Sequence, residues 1–248
     1  MQHEQARLKV EAGRFNYYLL DGNVIDKKVD GLRLRLGERT TGPGSLTFFA
    51  GRTTVSDDRH RLRGWSLLYS SQHGRLKSDA AYLDFRRLQD LPSSRPSLIG
   101  QSRAGTGFDE QRIAEWRLMY ELTPKLTASL DLLHAWGRHD ADGYDTTDSG
   151  FVAALTYGHL DERQKGSYEA WIRYYDQPSA SILYHTMDGD TTFFRRMGFC
   201  GWGARLDYIV QPGLAWAVEG FSLKNRHHTA WTGAFRETVI GTSLTAYF

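Results

Sequence analysis

The chain has 248 residues, a formal net charge of +2 with histidine neutral, 40% hydrophobic and 13% aromatic residues. Near-neutrality leaves no electrostatic footprint for a nucleic-acid partner, and a single cysteine, Cys200, excludes an intrachain disulfide framework. No apolar run approaches the roughly eighteen residues of a transmembrane helix, and the start, MQHEQARLKV, has no apolar core of a signal peptide. The chain is therefore expected to be mature, cytosolic or lacking its beginning.

Period-two alternation runs through the sequence, and it predicts strands. Residues 7–15 (RLKVEAGRF) set Leu8, Val10 and Ala12 on one face, and NYYLLDGNVIDKKVDG after them reads as a polar, aromatic loop. Leu32, Leu34 and Leu36 oppose Arg33 and Arg35; after the turn TTGPG, Leu46, Phe48 and Ala50 continue the pattern. A charged loop, VSDDRHR, precedes Trp65, Leu67 and Tyr69, and SQHG reads as a turn. Over residues 76–87, Ala81, Leu83 and Phe85 oppose Tyr82, Asp84 and Arg86.

A long Ser, Pro and Gly-rich loop spans about 88–109. Ala114, Trp116, Leu118 and Tyr120 then oppose Glu115, Arg117 and Glu121, with TPK as a tight turn. Leu126, Ala128, Leu130 and Leu132 oppose Ser129 and Asp131, and RHDADGYDTTDSG reads as an acidic loop. Phe151, Ala153, Leu155 and Tyr157 make the next apolar face, followed by the polar turn HLDERQKG. Tyr168, Ala170, Ile172 and Tyr174 oppose Glu169 and Arg173; a second long loop covers about 177–200. Trp202, Leu206 and Tyr208 oppose Arg205 and Asp207, QPG turns the chain, and Leu214, Trp216 and Val218 oppose Ala217 and Glu219. In the last stretch, ETVIGTSLTAYF, Ile240, Thr242, Leu244, Ala246 and the terminal Phe248 share one face.

The pattern predicts an all-β chain of about twelve strands, long enough to cross a bilayer at a tilt. Short turns alternate with longer polar loops, aromatics lie towards the ends of the apolar faces, and the second face is ionic. These features favour a transmembrane antiparallel up-and-down barrel, a single domain over 1–248, over a soluble sandwich or lipocalin-like barrel, although alternation by itself fits both.

If the apolar faces look outwards, the opposite face lines a lumen. Its charged residues include Arg33, Arg35, Arg86, Glu115, Arg117, Asp131, Glu169, Arg173, Arg205, Asp207 and Glu219. Arg33 and Arg35 stand two apart with no acid between them, and a guanidinium ladder of that kind would concentrate anions. Glu115 with Arg117, and Arg205 with Asp207, read as wall-stabilising pairs. A catalytic constellation is missing: His134 has no serine two positions away. His227 with His228, and His139 with Asp140 and Asp142, lack the spacing of a defined metal site. No cofactor motif is found.

The stretch RLKVEAGRF followed by DGNVIDKKVDGLRLR, with Gly13-Arg14-Phe15 and Asp30-Gly31, resembles bacterial general porins. With GWGARLDYIVQPGLAW and the Phe terminus it looks most like the OmpM-type porins of diderm Firmicutes, which join a wall-binding SLH domain to a trimeric barrel. The chain would be the carboxy-terminal portion of such a protein, its strands part of a larger barrel of about sixteen, or else a genuinely smaller barrel, since an even count of about twelve permits either. The resemblance implies an outer-membrane diffusion channel for ions and small hydrophilic solutes, set in lipid and lipopolysaccharide as a homotrimer. Phe248 would be read by the barrel-insertion machinery. The loop 16–29 would fold into the pore and present Tyr17, Tyr18, Asp21, Asp26, Lys27 and Lys28 to the arginine wall. The alternative is a plugged barrel that serves as a structural tether or adhesin scaffold.

Overall fold

A computed structural model describes residues 8–19, 22, 24–53, 62–87, 108–139, 144–183, 198–227 and 234–246. Twelve strands form one sheet: β1 (Leu8–Leu19), β2 (Ile25–Glu38), β3 (Thr41–Thr53), β4 (Leu62–His73), β5 (Leu76–Arg87), β6 (Glu110–Thr123), β7 (Leu126–His139), β8 (Tyr144–His159), β9 (Tyr168–Gln177), β10 (Phe199–Gln211), β11 (Leu214–Asn225) and β12 (Arg236–Ala246). Their order in space is their order in sequence, and every neighbouring pair is antiparallel. This is the expected up-and-down all-β architecture. Among the described residues β1 pairs only with β2, and β12 only with β11. The sheet is therefore open between β1 and β12 among the described residues.

The strands run further than alternation in hydrophobicity alone marks them. The stretch 16–31, read above as a loop, is a hairpin: Tyr17 pairs with Lys27 and Asn16 with Lys28, with only 20–24 outside the two strands. The acidic stretch 138–150 is likewise mostly strand, since β7 and β8 pair as far as His139 and Tyr144. Polar side chains do not end a strand when the ladder supplies every backbone partner. The connections after even-numbered strands are short, two residues in all but the β8–β9 link, and those after odd-numbered strands are mostly longer. One rim of the sheet is thus a turn rim and the other a loop rim.

The two faces differ in kind. One exposes Leu32, Leu46, Phe48, Leu67, Leu130, Leu132, Leu155 and Ile172. Towards the turn rim these aliphatics are flanked by Tyr69, Tyr120, Tyr157, Tyr168, Tyr208 and Trp216, and towards the loop rim by Trp65, Trp136 and Trp202. The exposed apolar band between two aromatic girdles is the surface that meets lipid in a membrane barrel.

The opposite, inner face buries one apolar cluster drawn from β1 through β11, including Tyr17, Phe49, Leu83, Phe85, Ile113, Leu133, Tyr175, Phe199 and Phe221. One cluster can touch that many strands only if the sheet curls around it. Most of its members lie in the loop-rim half of their strands. Glycines make the floor. The Phe49 ring lies over Gly31 and Gly51, and the Phe85 ring over Gly64. A Cβ at Gly51 would run into the Asp30 carbonyl oxygen and stand 2.8 Å from the Phe49 ring, and one at Gly64 would run into the Asp84 carbonyl oxygen and stand 2.8 Å from Phe85. Placing aromatic rings over glycines lets a strongly curved sheet stay closely packed.

Gly51→Val or Gly64→Val should therefore press on both the adjoining strand's carbonyl and the ring above it, and lower stability by about 1–3 kcal/mol or more. Urea titrations of the refolded protein would show this as an earlier unfolding midpoint, while Gly74→Ala, in a turn with open space around it, gives a reference for turn strain alone.

Candidate functional site

The inner face can be read row by row from the register. Glu11, Arg33, Phe49 and Ser66 form one row; Lys9, Arg35, Thr47, Leu68, Ala81, Glu115 and Leu133 form the next. Arg117, Asp131, Val152 and Tyr175 follow, and then Met119, Ser129, Ala154, Arg173, Gly203 and Phe221. Arg205 pairs with Glu219, and Asp207 stands opposite both Glu169 and Ala217. Ten of the eleven charged residues assigned above to a lumen thus share the face of Phe49 and Tyr175.

Arg86 does not. It shares its face with Asp84, which pairs with Trp65, and that is the outer, exposed face. The apolar-out rule fails on β5 because the loop-half of the inner face is itself apolar, so Leu83 and Phe85 point in and Asp84 and Arg86 point out.

Cross-strand neighbours settle the charges of this face. Arg33 pairs with Glu11 and lies 4.8 Å over the Phe15 ring. Arg117 pairs with Asp131 at 3.2 Å, both side chains less than a tenth exposed. Arg205 is held by Asp207 at 2.8 Å and by Glu219 at 3.1 Å. Lys77 meets Glu121 at 2.7 Å, and Arg39 meets Asp79 at 2.9 Å. Arg173 covers the Trp171 ring at 4.1 Å. Arg35 makes no ion pair among the described residues, and the residue opposite it on β1 is Lys9, of the same sign. The cationic spot of this face is therefore Arg35 with Lys9, and not the Arg33–Arg35 ladder.

Its turn-rim half, with Arg35, Arg173, Arg205 and Glu219, is only partly buried, whereas the loop-rim half is filled. The hairpin proposed above contributes to this filling through Phe15, Tyr17, Leu19, Val24, Ile25 and Val29, all buried in the cluster. Within that hairpin Tyr17 points inwards and hydrogen-bonds Ser66, while Tyr18 is exposed and Lys28 lies on the outer face. Asp21 lies outside the described residues, as do the side chains of Asp26 and Lys27. Phe248 lies outside them too. The segment after β9 covers the inner wall as well. Its short 3-10 turn, Ser179–Ser181, and Ile182 and Leu183 seat against β6, β7 and β8. Gln111 Nε2 donates to the carbonyls of Ala180 at 2.8 Å and Ile182 at 3.0 Å. Ala180 and Phe108 sit over Gly137, and Pro178 over Gly150. Sequence reading missed this: a glutamine among alternating residues looks like any polar position, and its partners are some seventy residues away.

It also missed a serine beside His134. Ser149 stands directly across the strand pair on the outer face, with its Oγ 2.6 Å from His134 Nδ1. Among the described residues no carboxylate hydrogen-bonds the other ring nitrogen, so the pair lacks the third group that orients a base. Cys200 is a free, half-buried thiol on β10, and among the described residues no group of three metal-ligating side chains is found.

No protein-family model matches the chain, and no curated protein matches it. Among solved structures, the crystal structure of Pseudomonas aeruginosa OccK3 (OpdO) is similar with a TM-score of 0.42 and 18% identity, over 96% of this chain and 74% of that one. At that level the fold reading rests on the strand order and register of this chain alone.

Gln111→Ala should release the inner segment. Losing two buried hydrogen bonds costs about 1–3 kcal/mol, so exchange of the Ser181 and Ile182 amides should speed up by roughly tenfold or more, read by hydrogen exchange with mass spectrometry.

Proposed function

We propose that this sheet is the wall of a bacterial outer-membrane channel through which ions and small hydrophilic solutes diffuse without chemical change. The observation that carries the reading is the outer face: it bears an exposed apolar band between aromatic girdles, while the turn-rim half of the protected face carries charged side chains. Water-soluble proteins rarely expose so extensive an apolar band. In a bilayer it is the lipid contact, and the ladder satisfies the backbone there. By the resemblance of its Gly-Arg-Phe and Asp-Gly stretches, the chain is further proposed to be an OmpM-type porin portion. The two singly paired edge strands then belong to a wall of about sixteen strands, assembled as a homotrimer.

The partly open, charged half of the inner face is the solute-facing vestibule. The apolar half, narrowed by the segment after β9, is a poorly wetted constriction, and such constrictions limit conduction by dewetting. A second reading draws on the same cluster: with the lumen fully packed, the barrel is a tether or adhesin scaffold and conducts nothing.

Planar-bilayer recording of the refolded chain separates the two. Stepwise ohmic currents of low conductance are expected; a folded but silent protein would favour the scaffold. In conducting protein, Arg35→Glu should move the reversal potential in a salt gradient towards cation selectivity, and by more than Arg33→Glu, because Glu11 already compensates Arg33. Equal or absent shifts would remove Arg35 from the conduction path.

A further inference from the structure

One turn sends a cation into the interior. Arg39, in the two-residue turn between β2 and β3, donates from Nη2 to Asp79 Oδ2 at 2.9 Å. Asp79 is on β5, so the guanidinium reaches past β3 and β4 to find it. Along the inner face the register reads Gly37, Ser45, Ser70, Asp79, Arg117, Asp131, one residue per strand from β2 to β7. Ser45 and Ser70, which lie between the turn and Asp79, are buried, and their small size leaves room for a long side chain laid along the wall. The cations of the next two hairpin turns, Arg75 and Lys125, are exposed instead.

The fit between the two is incomplete. The side chain of Asp79 is 10% exposed and that of Arg39 29%. A carboxylate so far from water needs a counter-charge. Arg117, directly across from it on β6, meets Asp131 at 3.2 Å, and Lys77, two residues before it on the same face, meets Glu121 at 2.7 Å. Arg39 supplies the counter-charge through a single hydrogen bond. Asp79 Oδ1 and Arg39 Nε are both buried with no hydrogen-bond partner among the described residues. A guanidinium free to align with a carboxylate takes both oxygens through two parallel N–H···O bonds. Arg39, held by its turn, takes one.

Asp79 is thus matched in chemistry to a guanidinium and mismatched in geometry to the one beside it. We infer that Asp79, flanked along its row by Ser45 and Ser70, is a wall site for the guanidinium group of a passing solute, and that Arg39 fills it as a tethered stand-in which such a solute displaces. The untethered group gains the second hydrogen bond, to Oδ1. Displaced, Arg39 has only to turn out to solvent, as Arg75 and Lys125 do. The inference rests on the channel reading given above and adds to it a class of solute.

The test uses the full chain, refolded in detergent and checked for heat-modifiable mobility. Methylguanidinium is the probe, and tetramethylammonium, with the same charge and no N–H, is the control. Binding is followed by saturation-transfer NMR of their methyl protons. Removing a competitor that holds the site about nine-tenths of the time raises apparent affinity roughly tenfold, so Arg39→Gln should bind methylguanidinium that much tighter than the native chain, with no gain for tetramethylammonium. Adding Asp79→Asn to Arg39→Gln should abolish the gain. Should Arg39→Gln fail to fold, Arg39→Lys keeps the charge without the fork and should show a smaller gain in the same direction. No gain in a folded variant, a gain that survives Asp79→Asn, or an equal gain for tetramethylammonium overturns the inference. In planar bilayers, methylguanidinium should reduce the current of Arg39→Gln at concentrations roughly tenfold lower than those that reduce the native current. A conducting protein without such binding keeps the channel and loses the site; a silent protein that binds keeps the site and loses the channel.

Discussion

The antiparallel register is the constraint on which the rest of this structure depends. Each strand finds its backbone partners in its neighbours, and side chains alternate strictly between two faces. A slip of one residue between any two strands would exchange the leucines of the outer face for the arginines of the inner one. The bulges between β2 and β3, β6 and β7, and β10 and β11 all lie at the turn rim, where the hairpins close. There they adjust the turn without disturbing the rows that matter.

That register distributes two apolar surfaces. The outer band lies between its girdles and gives way to charged residues at the loop rim. The inner cluster occupies only the loop-rim half, where aromatic rings settle onto glycines of adjoining strands. Between the cluster and the turn rim the inner wall turns ionic. The buried Arg117–Asp131 pair marks the boundary, and such a pair persists only where its geometry compensates the loss of water. The same wall therefore holds a packed, apolar segment and a partly exposed, charged one, stacked along the strand direction.

Much of this was legible in the alternation. All twelve strands, the two rims and the outer positions of β2, β3, β6, β7 and β10 follow from period two. What was hidden has a common cause: the sequence pattern reports whether a residue is apolar, not which side its strand presents. On β5 both faces carry apolar residues, so Leu83 and Phe85 were placed outside and Arg86 inside. The polar stretches 16–31 and 138–150 look like loops because they lack an apolar face, yet the ladder continues through most of both. Partners across the sheet, such as Glu11 for Arg33 and Ser149 for His134, lie 22 and 15 residues away. Motif spacing along one strand could not find them.

The central claim is that successive residues of each strand meet lipid and the enclosed interior in turn. Spin labels at single cysteines along β7, at Ala128, Ser129, Leu130, Leu132 and Leu133 in a Cys200→Ser background, test it most directly in vesicles. Collisions with oxygen should be frequent at 128, 130 and 132 and rare at 133, while a water-soluble nickel complex should reach 129 but none of the outer three. Loss of that period, or ready access of the nickel complex to 130 and 132, would contradict the assignment of the apolar band to lipid and everything built on it.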